Sequence, residues 1–257
     1  MLKSLDLSGR VAVVIGGTSG LGRAIALGLA EAGADVAPTG RREALVQEAS
    51  DQVERLGRRS LAAPVDVLDR QSIDALRDRV LDRFGQIDIL VNAAGRIARK
   101  PTLELSEAEW RDTLDVNATG ALRACQSFFQ ALAASRRGRV IHIVSLNSFV
   151  SLKEVAAYAA SKSALLSLTR SLAVEWAESG VNVNAIAPGV FLTDMNRKLL
   201  TETERGRELL MRTPMKRFGC AQEVIGAAVL LASDAASFIT GQCLVVDGGF
   251  LASGVNS

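Results

Sequence analysis

Short apolar runs alternate with segments of helical period along the whole chain, and that rhythm decides what it can fold into. The runs are 11–15, 36–39, 60–67, 87–91, 139–144, 181–187 and 243–246. The first helical pattern carries Ile25, Leu29 and Ala32 on one face, with Gly33 as its stop. A second covers 43–56, and a third is capped by Asp69 and runs to Phe84 and Gly85. Ser106 and Glu109 form a capping box that opens a long helix reaching about Ala134, and 156–178 and 223–231 complete the set. Strands this apolar need cover on both faces. The expectation is therefore an α/β chain: one doubly wound domain over 1–257, with a parallel seven-stranded sheet between two helical layers. Pro38 weakens the second strand, because proline has no N–H to give to a ladder.

The 257 residues are 48% hydrophobic and 23% charged, enough for a large core without staples. No apolar stretch approaches the ~18 residues of a membrane span, and the N-terminal residues lack a secretory apolar run. A net charge of +2 gives no electrostatic case for nucleic acid. The single histidine, His142, excludes a zinc site built from several histidines, and no metal is expected. Cys125, Cys220 and Cys243 form no CxxC pair, which suits reduced thiols in the cytoplasm. Tyr158 is the only tyrosine.

Gly16-Gly17-Thr18-Ser19-Gly20-Leu21-Gly22 follows the first strand and opens the first helix. There, glycines let the backbone turn tightly and approach a pyrophosphate, and the helix N-terminus offers unpaired N–H groups. A purely structural turn is the plain alternative; the strand-before, helix-after setting favours a dinucleotide. No GK[ST] follows, so a nucleoside-triphosphate loop is excluded. Asp35 precedes the second strand and lies at the wrong end to bind a ribose 2′-OH, whereas Arg41 and Arg42 stand at the right end. A guanidinium there suits a 2′-phosphate, so NADP(H) is the preferred cofactor, with NAD(H) also open.

Tyr158 and Lys162 are four residues apart and share one helix face. A nearby cation favours the phenolate and brings a phenol toward the working range of an acid–base group. On spacing alone, a packed tyrosine beside a solvated lysine is the commoner arrangement, so the neighbours matter. Ser145 closes the strand 139–144 and Asn92 closes 87–91, both at the sheet edge where such folds bind ligands, and Asn117 is an amide inside the long helix.

With those residues in place, the chain resembles the short-chain dehydrogenase/reductase family over 7–249. The marks are the Gly16/Gly20/Gly22 turn, Asp66-Val67, Asn92-Ala93-Ala94-Gly95, Asn117, Ser145, Tyr158-Ala159-Ala160-Ser161-Lys162 and Pro188-Gly189-Val190-Phe191-Leu192-Thr193. Ile15 stands where the family usually has Thr, Ala93 departs from NNAG, and the glycine turn lacks the basic residue of many NADP-preferring members. The resemblance implies a Rossmann-type fold and hydride exchange between a secondary alcohol and a ketone. It implies Tyr158 as general acid/base, Lys162 lowering its pKa and holding the nicotinamide ribose, Ser145 hydrogen-bonding the carbonyl oxygen, and Asn117 serving a proton relay through water. It further implies Gly16, Thr18, Ser19, Gly20, Leu21, Gly22 and Arg41 at the phosphates and adenosine ribose, and Asp66 and Val67 at the adenine. Asn92 would line the cleft, with Pro188, Phe191 and Thr193 at the carboxamide.

On the substrate side, Asn147, Phe149, Lys153 and Val155 lie between Ser145 and Tyr158 and are expected at the pocket. The segment 192–215, capped at Thr201-Glu202-Thr203-Glu204, is expected to form a helical lid. The basic loop Arg96-Ile97-Ala98-Arg99-Lys100-Pro101 is a solvated face or an attractor for an anionic substrate. That loop, Ser145-Leu146-Asn147-Ser148 and 212–219 resemble family members acting on sugar acids, of the gluconate 5-dehydrogenase and 2-deoxy-gluconate dehydrogenase type. The rival is a 3-oxoacyl-acyl-carrier-protein reductase with the same catalytic set. From another class, a dinucleotide-binding scaffold without turnover is disfavoured by Ser145, Tyr158, Lys162 and Asn117 together. A serine hydrolase is excluded, since no GxSxG exists and His142 falls in a strand run. The family implies a homotetramer packed through the long helices, with Ala121, Ala124, Ala156, Ala159 and Ala160 allowing close approach and 250–257 reaching a partner.

Overall fold

The computed structural model describes residues 2–193 and 196–254. Its first half contains β1 (Val11–Ile15), α1 (Gly20–Glu31), β2 (Asp35–Thr39), α2 (Glu43–Arg55), α3 (Arg70–Phe84), β3 (Ile89–Asn92), α4 (Glu107–Leu114) and α5 (Gly120–Ala134). The second half contains β4 (Gly138–Ile143), α6 (Ala156–Trp176), β5 (Val181–Pro188), α7 (Arg197–Glu202), α8 (Glu204–Arg212), α9 (Ile225–Ala232) and β6 (Cys243–Val246). The sheet has order β2-β1-β3-β4-β5-β6, and every pairing is parallel. Chain order reverses at β1, so the carboxyl ends of β1 and β3 flank a switch point, where this class of sheet leaves a crevice. Ile15 and Asn92 are register partners there.

Burial on both faces, read from the apolar runs, holds: β1 to β4 are buried at every position. One face packs Ile25, Leu29, Val224, Ala228 and Leu231 against Ala12, Val14, Ile89 and Ile141. The other packs Ile73, Leu76, Val80, Phe128, Leu132 and Trp176 against Val11, Val13, Leu90 and Val140. The caps fall where the side chains place them. Asp69 accepts from the Gln71 N–H, Gly85 ends α3 in the left-handed region at φ 80°, and Ser106 and Glu109 form the reciprocal capping box.

Three expectations need correction. The sheet has six strands among the described residues, not seven, because 60–67 does not complete a ladder. It lies beside β2 and touches it at one bridge, Val36 to Ser60, with a further Val65 N–H to Gly40 carbonyl bond. Pro38 in β2 lacks the N–H that continued pairing on that side would need. Next, the long helix expected from Ser106 is broken by a π-helical turn at Asp115–Thr119, which separates α4 from α5. Lastly, Ala121 and Ala124 are buried inside the chain, 6% and 0% exposed, so they offer no close approach to a neighbour.

In the segment expected as a lid, α7 and α8 form a tight pair: a Cβ on Gly206 would fall 2.0 Å from the Leu200 carbonyl oxygen. Thr203 caps α8 by accepting from the Gly206 N–H. Residues 194–195 of that segment, and 255–257 of the expected partner-reaching tail, lie outside the described residues.

Candidate active site

The carboxyl edge of the sheet gathers most of the expected side chains. Ser145 follows β4 and caps a 3-10 turn, accepting from the Asn147 N–H. Tyr158 and Lys162 project from the first two turns of α6, and Ser145 lies close enough to the Tyr158 phenol to lower its pKa. Lys162 is 3% exposed and donates to the Ile143 carbonyl at 2.7 Å. This bond anchors α6 to the strand that delivers Ser145.

Asn117 owes its place to the π turn, a geometry that often marks functional positions. It is 1% exposed and fully engaged. Its Oδ1 accepts from the Arg96 N–H at 2.8 Å, and its Nδ2 donates to the Arg96 carbonyl at 2.9 Å and to Ser161 Oγ at 2.9 Å. Ser161 in turn donates to the Tyr158 carbonyl at 2.7 Å. Asn117 thus binds the β3–α4 loop to the first turn of α6. Ser161 was missed from sequence, although it sits inside the Tyr158–Lys162 motif, where a polar residue facing inward was a usable signal.

Electrostatics depart from the expectation for Tyr158. Burial is the largest influence and raises its pKa above the usual phenol range, while the Ser145 hydrogen bond opposes it. Lys162 itself is pushed down to about 8 by burial. Its Nζ is 5.8 Å from the Tyr158 ring centroid and donates to the Ile143 carbonyl.

The glycine turn fits a dinucleotide. Gly16 abuts the next loop so closely that a Cβ would fall 2.5 Å from the Ala94 nitrogen, and Gly22 would meet the Gly16 carbonyl oxygen. Gly20 has φ +52°, and among the described residues a Cβ there would come within 4 Å of Thr193 Cγ2 alone, at 3.9 Å. Ser19 and Gly20 are exposed at the start of α1, Thr18 is buried against Gly40, and Leu21 packs into the core. Gly95 keeps similar space beside Lys162 and Asn117, its Cβ position lying 3.6 Å from Lys162 Nζ and 3.7 Å from Asn117 Oδ1.

The remaining expected residues divide. Arg41 and Arg42 are exposed beyond β2, while Asp35 is committed to Arg58 and Arg59 at 3.2 and 2.8 Å, far from any ribose at the carboxyl edge. Asp66 Oδ1 accepts from the Leu68 N–H, and Val67 packs against Gly120. Pro188 ends β5, and Asn196 clamps the following turn, donating to the Phe191 carbonyl and accepting from the Thr193 N–H. Asn196 was not foreseen; its role depends on loop geometry no local pattern encodes. Phe191 is 6% exposed, its ring packed against Gly219 and its carbonyl taken by Asn196. Asn92 turns its amide away from the cleft to Cys125 Sγ, at 3.6 Å. Asn147 spends its Nδ2 on the Val150 carbonyl, whereas Phe149 is 45% exposed beside Ser145.

The mouth of the site is basic. The Arg96–Lys100 loop meets the start of α6 through the Lys100 N–H and the Glu154 carbonyl at 3.0 Å. Arg205 of α8 crosses to the same place, donating to the Lys153 carbonyl at 2.8 Å and pairing with Glu154 at 3.2 Å. Arg99 lies close enough to Arg205 and Glu154 to feel both charges.

Residues 16–251 match the family model described as enoyl-(acyl carrier protein) reductase. The chain belongs to the short-chain dehydrogenase/reductase family. It is 40% identical over 98% of its length to the 2-dehydro-3-deoxy-D-gluconate 5-dehydrogenase of Escherichia coli, covering 99% of that protein. A structure from Beutenbergia cavernae, described as an NAD(P)-dependent gluconate 5-dehydrogenase with NADP at low occupancy, is 44% identical with a TM-score of 0.92, covering 97% of this chain and 100% of that one. A gluconate 5-dehydrogenase from Burkholderia cenocepacia in complex with NADP and tartrate is 35% identical with a TM-score of 0.93, covering 98% and 99%. Family membership carries the reaction class, oxidoreduction of a CH–OH group.

Proposed function

We propose that the protein is an NADP(H)-preferring dehydrogenase/reductase that interconverts a secondary alcohol and a ketone on a sugar acid. The observation that carries the reaction is the convergence of Ser145, Tyr158 and Lys162 at the carboxyl edge, beside the glycine turn. Tyr158 exchanges the proton at the substrate oxygen, and Ser145 donates to that oxygen as charge develops on it. Lys162 carries a positive charge beside the phenol, and Asn117 holds the loop that walls the site. The turn from Gly16 to Gly22, with Arg41, Asp66, Val67, Pro188, Phe191 and Thr193, would hold the dinucleotide, which supplies or accepts the hydride when bound. Raised by burial, the Tyr158 phenol is protonated at neutral pH, as a proton donor in the reducing direction requires.

A sugar acid is supported by the names of the relatives and by Arg99 and Lys153, beside which Arg96, Lys100 and Arg205 are paired with Asp112, Glu109 and Glu154. The lid is the α7–α8 pair, joined to the substrate side through Arg205. We also propose a homotetramer in the cytoplasm. Val174 on α6, Val245 on β6 and Phe238 leave apolar surface exposed, which association would cover. Among the described residues no helix is long and apolar enough to cross a membrane.

The test is a panel of keto-sugar acids, neutral polyols and acetoacetyl thioesters with NADPH and NADH. Turnover of a ketogluconate with NADPH supports the reading. Preference for the thioester would make it an acyl-carrier reductase, and tight NADPH binding with no turnover would make it a scaffold. Light scattering that returns a monomer would refute the assembly.

A further inference from the structure

Beneath the site, the chain's single histidine sits in a buried hydrogen-bond chain that the proposed chemistry leaves unused. His142 is 0% exposed in β4, with Asn92 and Ala185 as its register partners. Its Nδ1 lies 2.9 Å from Thr169 Oγ1 and its Nε2 lies 3.3 Å from Cys125 Sγ. The ends of the chain fix its direction. The Asn92 amide nitrogen can only donate, to Cys125 Sγ at 3.6 Å, and the Leu165 carbonyl can only accept, from Thr169 Oγ1 at 2.9 Å. With the Thr169 proton spent on Leu165, His142 Nδ1 must donate, leaving Nε2 to accept from the Cys125 thiol. The imidazole is therefore neutral and one tautomer is selected, in line with a pKa lowered to about 3 by burial and by the Lys162 charge.

The geometry has a mechanical consequence. Thr169 lies two turns beyond Lys162 on α6, and the two share one helix face. His142 and Ile143 are consecutive on β4. The strand therefore grips the helix twice, at His142 to Thr169 and at the Ile143 carbonyl to Lys162. Two grips fix the sliding position of α6 along β4, and that position sets Tyr158 against Ser145, just beyond the strand's end.

We propose that His142 is a positioning residue: acting through Thr169, its neutral imidazole holds the register between the strand that delivers Ser145 and the helix that bears Tyr158 and Lys162. This rests on the catalytic reading above. Replacing His142 risks losing the fold, so the near-isosteric Thr169→Val is the first variant, with Thr169→Ser restoring the hydroxyl. Two readouts are taken: steady-state reduction of a ketogluconate by NADPH, and near-ultraviolet titration of the phenolate, which reports Tyr158 alone because the chain has one tyrosine. Displacement of a reacting group by ~1 Å can cost about a hundredfold in rate. Thr169→Val should lower kcat by about tenfold or more, with KM for both substrates changed by less than about threefold, and should move the Tyr158 titration. Thr169→Ser should return both to the wild-type values. A Thr169→Val enzyme with unchanged kcat and titration, whatever its melting temperature, would overturn the proposal, as would a serine variant that rescues neither. If the wild type turns over no carbonyl, the catalytic reading fails by itself, and the phenolate titration still decides whether Thr169 positions the phenol.

Discussion

Lys162→Met should make the protein more stable at neutral pH while removing its activity. The Lys162 ammonium is 3% exposed and its pKa falls from 10.5 to about 8 on folding. At ~1.4 kcal/mol per unit, keeping it charged in the folded state at pH 7 costs about 3 kcal/mol. Methionine has similar length and no charge, so it removes that penalty. It also loses the charge-assisted bond to the Ile143 carbonyl, which offsets about 2 kcal/mol and leaves a net gain of about 1 kcal/mol. The pH dependence follows from the lowered folded-state pKa. Between about pH 8 and 10.5 the unfolded wild type binds more protons than the folded one, so wild-type stability rises with pH there and the advantage of the variant shrinks and then reverses. Urea unfolding of the ligand-free proteins at several pH values, at one protein concentration, measures the difference. A variant less stable at pH 7, or a gap that does not change with pH, would refute the reasoning that burial rather than a carboxylate governs this lysine.

The other expectations concern turnover and specificity. Tyr158→Phe should abolish reduction while NADPH binding, followed by fluorescence, is retained; near-normal turnover would remove the phenol from the mechanism. Ser145→Ala should cost about 10²–10³ in kcat, and it should move the Tyr158 titration upward, because the hydrogen bond it removes is the influence that opposes burial. Arg99→Ala should raise KM for an acidic substrate while sparing a neutral polyol; equal effects on both would show that the basic mouth does not read charge. Arg41→Asp should shift preference from NADPH toward NADH, and unchanged NADPH affinity would assign the 2′-phosphate elsewhere.

Much of this was legible because the relevant signals are local. Apolar runs marked six strands, Asp69 and Ser106 marked helix starts by capping chemistry, and the Tyr158–Lys162 spacing put both on one face. The failures have physical causes. The run 60–67 has strand composition, yet the proline that denies it a ladder sits on its neighbour, Pro38 of β2. A π turn adds one residue to a helical turn and leaves the apolar pattern almost intact, so the break at Asn117 was invisible while the need to satisfy its amide was not. The descent of the Asn92 side chain to Cys125 depended on which face of β3 meets α5, which the chain's order alone does not state. The pKa of Tyr158 was misread because spacing reveals a cation but not the depth of burial around it.

The proline pair at the β2 margin also governs how the sheet can grow. A border strand with regular free N–H groups invites another strand to zip on, whereas Pro38 and Pro64 break that template, and the strap beside β2 shields what is left. The opposite border, β6, carries no proline and shows Val245 to solvent. Any continuation of this sheet into a second molecule is thereby confined to one side, which makes lateral stacking finite by construction.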